Sequence, residues 1–322
     1  SHDTIIDGSQ HMQCVTYTGT GSSQNIQTNF QPALLMIKHR NSNTTNQFWF
    51  DRLRGVSNAT YGTVRPTTTG AATSSANYMT DFLSTADGDS INGFTVNSNE
   101  TNMNNGLNVA WCWRADDSFT PTGSSISNAS GLRNTTAGFS IVKWDGASGG
   151  GNITHGLNRA PDFVIYKNMA ATNNWDIYHI SVEGPQKSAN ALCDGLIFTP
   201  ATQRGNSVRV PSSTQLNLVD GYTNGANKVM VAYSWHAVAG YSAFGRYTCS
   251  GSINQDGFSA PDVNGPFIYC GFKPAFVMAK RVDANNDWGI RDNARDTENP
   301  RTKVLRWNVQ GSPGDAGALE EQ

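Results

Sequence analysis

The sequence predicts an all-β protein built from tandem β-sandwich (jelly-roll-like) repeats, and three observations lead to that prediction. Charged residues make up only 15% of the 322 residues, while Gly contributes 32 and helix-forming residues are scarce. Three segments resemble one another along the chain. Each contains short apolar runs between Gly-rich turns, with the length of strands rather than helices. We therefore expect two complete copies and one truncated copy.

Each copy is anchored by a proline and the apolar run that follows it. The prolines are Pro32, Pro161 and Pro274, and the runs are LLMI, FVIY and FVMA. These runs are apolar on both faces, which predicts strands that are covered on both sides. A lysine lies six residues after each proline, at Lys38, Lys167 and Lys280. We expect these lysines to end the strands and to pair with a carboxylate such as Asp51 or Asp292.

A second strand and a closing strand complete the repeat. Trp175 and Trp288 both fall fourteen residues after their proline, whereas the first copy has a loop one residue longer, so Trp49 does not align with them. The closing strands NGLNVAWCWRAD and NKVMVAYSWHAV also resemble each other. The same spacing places a third closing strand at about residues 345–352, so we expect the natural polypeptide to continue beyond residue 322.

These spacings divide the chain into five segments. The polar run after the first copy is rich in turn formers and indicates a linker or long loop. The expected segments are a leading segment 1–8, β repeat 1 at 9–117, the linker or long loop 118–137, β repeat 2 at 138–246, and a partial β repeat 3 at 247–322.

The composition also argues against several classes of binding partner. Lys and Arg total 23 against 25 for Asp and Glu, so the chain lacks the basic field that nucleic-acid binding requires. No apolar stretch is long enough to insert into a membrane. The histidines lack metal-binding spacing, and no cofactor is expected. Five cysteines read as small buried thiols, with Cys249 and Cys270 the one pair close enough in sequence to suggest a bridge.

Four residues of the second strands are candidates for ligand binding: Trp175, Asp176, Trp288 and Asp292. An indole beside Asn and Asp side chains is a common way to bind a sugar, and aromatics also anchor protein interfaces. Repetition at matched positions is equally what core packing requires. The sequence leaves both interpretations open.

Asp87 and Asp89, in TADGDSING, are candidate calcium ligands because they alternate as carboxylates do at the start of a calcium loop. The pattern lacks the terminal Glu of such loops, and the same residues are typical of a β-turn.

Several stretches together resemble a repeat domain of structural and tail-fibre-like proteins of marine bacteriophages, including cyanophages. The matching stretches are YTGTGSS at Tyr17, FQPALLMIKHR at Phe30, VAWCWRAD at Val109, GFSIVKWDG at Gly138, APDFVIYKN at Ala160, AGYSAFGRYTCSGS at Ala239, GPFIYCGFKPAFVMAKRVD at Gly265 and DWGIRDNARDT at Asp287. One departure is Cys249, where the family usually has Gly.

This resemblance implies a virion component, an exposed fibre, adsorption appendage or capsid protrusion, with no catalytic residues to carry over. It also implies a homotrimer that contacts other virion proteins, and the neutral polar surface suits contact with a host-surface glycan. The alternatives are a secreted carbohydrate-binding or depolymerising protein and a cellular surface adhesin. A depolymerase needs paired carboxylates in a cleft, and none recurs as a pair at matched repeat positions, so we expect no enzymatic activity.

Overall fold

The computed structural model describes residues 5–42, 44–56, 62–74, 76–97, 100–182, 187–198, 203–248, 267–298, 301–310 and 314–319. These residues form antiparallel sheets, with two 3-10 helices of one turn each, Gly8–Gln10 and Thr85–Asp87. The all-β class predicted from the sequence is confirmed.

The first part of the chain forms a sandwich of a four-stranded sheet, in the order β1-β7-β3-β4, and a three-stranded sheet, in the order β2-β6-β5. Side chains alternate across a strand, so one face of β3 and β4 points toward the small sheet. Leu35, Ile37 and Phe48 pack there against Phe94 of the small sheet. The strands are β1 (Met12–Thr18), β2 (Gln24–Gln27), β3 (Leu34–His39), β4 (Gln47–Asp51), β5 (Met79–Leu83), β6 (Gly93–Val96) and β7 (Leu107–Trp113).

The second part forms a larger sandwich by the same plan. Its sheets have the orders β16-β15-β14-β13-β18-β11-β10-β8 and β17-β12-β9, and Trp144, Val164 and Leu216 are among the residues packed between them. The strands are β8 (Asp117–Phe119), β9 (Gly123–Ser124), β10 (Ile126–Asn134), β11 (Phe139–Gly146), β12 (Gly151–Thr154), β13 (Phe163–Asn168), β14 (Trp175–His179), β15 (Leu192–Ile197), β16 (Gln203–Arg209), β17 (Gln215–Leu218) and β18 (Lys228–Trp235).

The linker expected at residues 118–137 is instead part of the second sandwich. β10 pairs with β11 and β8, and β9 pairs with β12. β10 lies near the sheet edge, and its apolar residues Ile126, Ala129 and Leu132 are only partly buried and do not alternate regularly, so it carries no alternating apolar pattern. A β-bulge between Ser127 and Ser130, with Asn128 at φ 49°, interrupts its register further.

The third part contributes a four-stranded sheet in the order β19-β20-β21-β22. Its strands are β19 (Phe276–Ala279), β20 (Gly289–Asp292), β21 (Arg301–Arg306) and β22 (Gly314–Leu319).

The strand after each proline pairs in the same register in all three parts. The order β1-β7-β3-β4 of the first sheet recurs as β11-β18-β13-β14 in the second. At the fourth residue after the proline, the pairs are Met36 with Trp49 and Trp111, Ile165 with Ile177 and Tyr233, and Met278 with Ile290. The division of the chain into repeats stays a prediction, and these matched registers support it.

The faces of the sheets that do not face a small sheet meet in one shared aromatic core. Trp49 lies at its centre, with ring centroids 5.0 Å from Trp175, 5.5 Å from Tyr233 and 5.2 Å from Trp307. All six residues of β3 and of β13 are buried, so the prediction of strands covered on both sides is confirmed for these two. β19 is only half-buried.

Candidate functional site

The structure places the two predicted sugar-stacking indoles inside the shared core. Trp175 is fully buried and Trp288 is 2% exposed. Their N–H groups donate to backbone carbonyls, Trp175 Nε1 to Thr68 O at 3.3 Å and Trp288 Nε1 to Ile197 O at 3.2 Å. An indole without exposed surface cannot stack on a sugar ring. The prediction that Trp175 and Trp288 bind a ligand is therefore wrong, and the core-packing alternative holds for both residues.

The two carboxylates predicted beside those indoles are buried as well. Asp176 and Asp292 are each 1% exposed. Asp176 lies opposite Tyr166 within the eight-stranded sheet, and Asp292 ends β20. A ligand in solvent has no access to either carboxylate, so the prediction that they bind one is corrected too.

Asp87 and Asp89 lie in the turn that follows β5. The Asp89 carboxylate accepts from the Ser84 N–H at 2.8 Å, and the amide oxygen of Asn92 accepts from the Thr85 N–H at 3.0 Å. Gly88 has the left-handed φ of 99° that ends the 3-10 turn. Among the described residues no group of three or more His, Cys, Asp or Glu side chains could hold a metal ion. The turn interpretation fits these contacts.

Two buried polar junctions join the sheets, and they are the chemically distinctive sites of the described structure. The first junction consists of Asp51, Arg54 and Tyr233. The Arg54 guanidinium pairs with the Asp51 carboxylate, and neither side chain has exposed surface. Tyr233 Oη, from the second sandwich, donates to Asp51 Oδ2 at 2.6 Å. A charged pair of the first sandwich is thus completed by an aromatic side chain of the second.

The electrostatics of the first junction favour a charged Arg54. Burial is the largest influence and lowers the pKa of Arg54, but the Asp51 carboxylate and the Tyr233 hydroxyl together outweigh it, and the pKa lies above its ordinary value. Burial raises the pKa of Tyr233 well above its ordinary value, so this phenol stays protonated as a donor. Arg54 also donates to the Trp49 carbonyl at 3.1 Å, which ties the ion pair to the strand backbone.

The second junction consists of Asp292, Arg295 and Trp111 and repeats this arrangement between the third and first parts. Arg295 Nε donates to Asp292 Oδ2 at 2.6 Å, and the Trp111 indole N–H donates to the same oxygen at 3.0 Å. In both junctions the carboxylate also accepts from the backbone N–H of the arginine, three residues later. The partner aromatics, Tyr233 and Trp111, occupy matched positions on the closing strands β18 and β7.

A further set of matched donors closes a ring of the three parts. Trp175 of the second part donates to a carbonyl of the first, and Trp288 of the third donates to a carbonyl of the second. Gln47 occupies the same register position in the first part, opposite Lys38. The Gln47 side chain is oriented so that both its amide nitrogen and its amide oxygen have a hydrogen-bond partner. In this orientation the nitrogen donates to Trp307 O of the third part at 2.7 Å. Each part therefore bonds to the one before it in the ring.

The lysines at the strand ends do not pair with the carboxylates expected from the sequence. Lys38 and Lys167 are each 1% exposed. Lys38 Nζ donates to Val309 O at 2.8 Å, and Lys167 Nζ donates to Thr69 O at 2.9 Å. Asp51 and Asp292 each form an ion pair with an arginine instead, because a guanidinium three residues later in the chain reaches the carboxylate within the same turn. Lys38 and Lys167 thus bind carbonyls of a neighbouring part, whereas Lys280 Nζ donates to Arg281 O and Ala284 O of its own loop.

The burial of Lys167 predicts a specific pH dependence of stability. Burial lowers its pKa from 10.5 to about 7. Between these values the unfolded chain binds more protons than the folded one, so the free energy of unfolding rises with pH, by up to about 1.4 kcal/mol per pH unit. We expect Lys167→Met to flatten the rise between pH 7 and pH 9.5, measured by urea unfolding.

Lys303→Met, at an exposed lysine, is the control and should leave the wild-type profile unchanged. Lys38 is present in all three proteins, so its own lowered pKa of about 8 cancels in the comparison. Profiles of wild type and Lys167→Met that run parallel would contradict the prediction.

Cys14, Cys112 and Cys270 are free thiols, and Cys112 and Cys193 are buried. Cys249 lies outside the described residues, and the Cys270 thiol donates to Phe272 O at 3.1 Å, so the structure does not show the bridge to Cys249 that the sequence suggests. In the part of the chain that the structure describes, no helix has the length and apolar character needed to cross a bilayer.

The fold and its junctions define a class of protein: stacked antiparallel sheets that share one aromatic core and are joined by buried polar contacts. The chain belongs to the family described as a domain of unknown function, DUF7483, whose model matches residues 7–319. That match spans all three of the expected repeats. Comparison with curated proteins and with solved structures found no match.

Proposed function

We propose that this protein is a non-enzymatic structural component of a bacteriophage virion, in a tail fibre, adsorption appendage or capsid protrusion that contributes to host attachment. The virion location rests on the sequence resemblance to tail-fibre-like proteins. The observation that supports a structural role is that the two buried ion pairs described above, at Asp51 and at Asp292, join one sheet to another. Such contacts hold modules in a fixed orientation, as a spacer or appendage requires.

Host contact, in this proposal, is made by the neutral polar surface and gains strength from several copies. Many weak sites on one particle raise avidity through effective concentration, without one tight site. The resemblance implies a homotrimer, and sedimentation velocity of the purified chain tests that expectation.

The location is tested on purified particles of the phage that encodes the chain. Antibody to the purified protein, detected by gold labelling in electron micrographs, should mark the tail or the capsid surface. Label on the tail supports adsorption, and label on the capsid supports decoration. Protein that is found in the culture fluid or on the cell surface but not on particles contradicts the proposal and favours the secreted or adhesin alternatives.

Host attachment is tested separately. Purified protein should bind host cells and reduce phage adsorption, and removal of surface glycan should abolish both effects. Release of reducing sugar from host glycan would instead identify a depolymerase and contradict the non-enzymatic part of the proposal.

A further inference from the structure

The strand β19 has one open edge among the described residues. β3 lies between β4 and β7, and β13 lies between β14 and the closing strand β18. β19 pairs with β20 on one side, and no described strand pairs with it on the other. All four of its residues are half-buried, whereas β3 and β13 are buried throughout.

The backbone at this edge carries the donor that the other two sheets use. Immediately after the proline, Ala33 N–H donates to Trp113 O at 2.8 Å, and Asp162 N–H donates to Trp235 O at 2.8 Å. Ala275 is the matched residue, and its carbonyl accepts from Asn293 N–H at 3.0 Å on the β20 side. Its own N–H has no partner among the described residues, and the residue is exposed.

Apolar side chains near the open edge are exposed as well. Phe267, Ile268 and Tyr269 are 75%, 50% and 83% exposed. Ile268 lies six residues before its proline, and Ile26, at the same distance before Pro32, is 5% exposed in the first sandwich. A contiguous exposed apolar segment of this kind marks an interaction surface.

We propose that the open edge of β19 binds an extended partner segment with the chemistry of β7 and β18, by antiparallel strand addition. The two closing strands define the sequence that fits. Each places an alanine opposite the fifth residue after the proline and an aromatic residue opposite the fourth. At β19 these positions are Ala279 and Met278. A second copy does not supply the strand, because its own β7 and β18 are already paired within its sheets.

The two buried junctions identify, by analogy, the residue that the added aromatic side chain reaches. Tyr233 of the second part reaches Asp51 of the first, and Trp111 of the first reaches Asp292 of the third. The remaining position is His179 of the second part, which lies opposite Phe163 as Asp51 lies opposite Leu34. An aromatic residue added beside β19 faces this histidine.

The tautomer of His179 selects between tyrosine and tryptophan. Its Nδ1 accepts from Ser181 N–H at 3.1 Å, so the proton of the neutral ring is assigned to Nε2. Burial lowers the pKa of His179 to about 4, which keeps the ring neutral near pH 7. Nε2–H has no acceptor among the described residues, and His179 is half-buried, so the site can take an added acceptor. A tyrosine hydroxyl can accept, and an indole N–H cannot, so a strand of the β18 type fits better than one of the β7 type.

The test uses a labelled peptide with the sequence of residues 228–235, KVMVAYSW, with lysines added at its end for solubility. Its binding to the full chain is followed by fluorescence anisotropy at pH 7. We expect saturable binding to the wild-type protein. Ala275→Pro removes the N–H at the open edge and should weaken binding roughly tenfold, whereas Ala275→Val keeps that donor and should not.

Peptide variants provide controls that do not depend on how the protein variants fold. The peptide with Ala232→Pro cannot complete the ladder and should not bind, and the peptide with Tyr233→Phe should bind more weakly because His179 loses its acceptor. Absence of saturable binding to the wild-type protein, or equal binding of the Ala232→Pro peptide, overturns the proposal. So does a dimer in sedimentation velocity that Ala275→Pro dissociates, because the edge would then bind a second copy. None of these outcomes depends on the virion location.

Discussion

Replacing Asp51 by asparagine is expected to lower the free energy of unfolding by about 3–5 kcal/mol, the usual loss when one partner of a buried ion pair is removed. The substitution keeps the shape of the side chain but removes the negative charge that pairs with the Arg54 guanidinium in a site that has no exposed surface. It also weakens the acceptor for Tyr233 Oη, so the loss falls on the contact between the first and second sandwiches. Urea unfolding at pH 7 measures the change.

Two controls separate the charge from the hydrogen bond. Tyr233→Phe leaves the Asp51–Arg54 pair intact and removes one hydroxyl, so we expect a smaller loss of about 1–2 kcal/mol. Asp117→Asn, at an exposed carboxylate, should change stability by no more than about 0.5 kcal/mol. A loss below about 1 kcal/mol for Asp51→Asn would show that the first junction does not hold the sheets together.

Asp292→Asn applies the same experiment to the second junction. Because Arg295 and Trp111 both donate to Asp292 Oδ2, we expect a loss of similar size. This residue was a candidate ligand in the sequence, and the variant distinguishes the two roles. A ligand residue would change binding with little effect on unfolding, whereas a junction residue changes unfolding first.

The strands of this fold can be predicted from the sequence because the patterns that indicate them lie within a few neighbouring residues. A proline followed, one residue later, by four apolar residues predicts β3 and β13, since a strand with both faces covered must be apolar on both. The extra loop residue in the first copy also predicts that Trp49 has no counterpart in Trp175. The register agrees, because Trp49 lies opposite Met36, whereas Trp175 lies opposite Lys167.

The two junctions cannot be predicted in the same way, because the residues that form each junction lie far apart in the chain. Tyr233 is 182 residues from Asp51, and Trp111 is 181 residues from Asp292. One signal was present: DRLR at Asp51 and DNAR at Asp292 share an Asp and an Arg three residues apart, after a strand. That spacing lets the carboxylate cap its own turn and pair with the arginine. Recognising it would have assigned Asp292 to structure rather than to a ligand.

Trp49→Ala is expected to lower the free energy of unfolding by about 3–5 kcal/mol and to loosen all three parts of the chain together. The Trp49 ring contacts Trp175 and Tyr233 of the second part and Trp307 of the third, so the cavity opens where the sheets meet. Amide hydrogen exchange should therefore speed up in β13, β14, β20 and β21 as well as in β3 and β4.

Phe48→Ala is the matched control, because Phe48 precedes Trp49 on β4 and points to the opposite face. Its ring packs with Phe50 and Tyr78 in the core of the first sandwich. We expect a comparable loss of stability, with faster exchange confined to the first sandwich. If exchange in Trp49→Ala were also confined to β3 and β4, the shared core would not couple the three parts. Faster exchange across β13 and β20 would instead establish that the shared core couples the three parts into one cooperative unit.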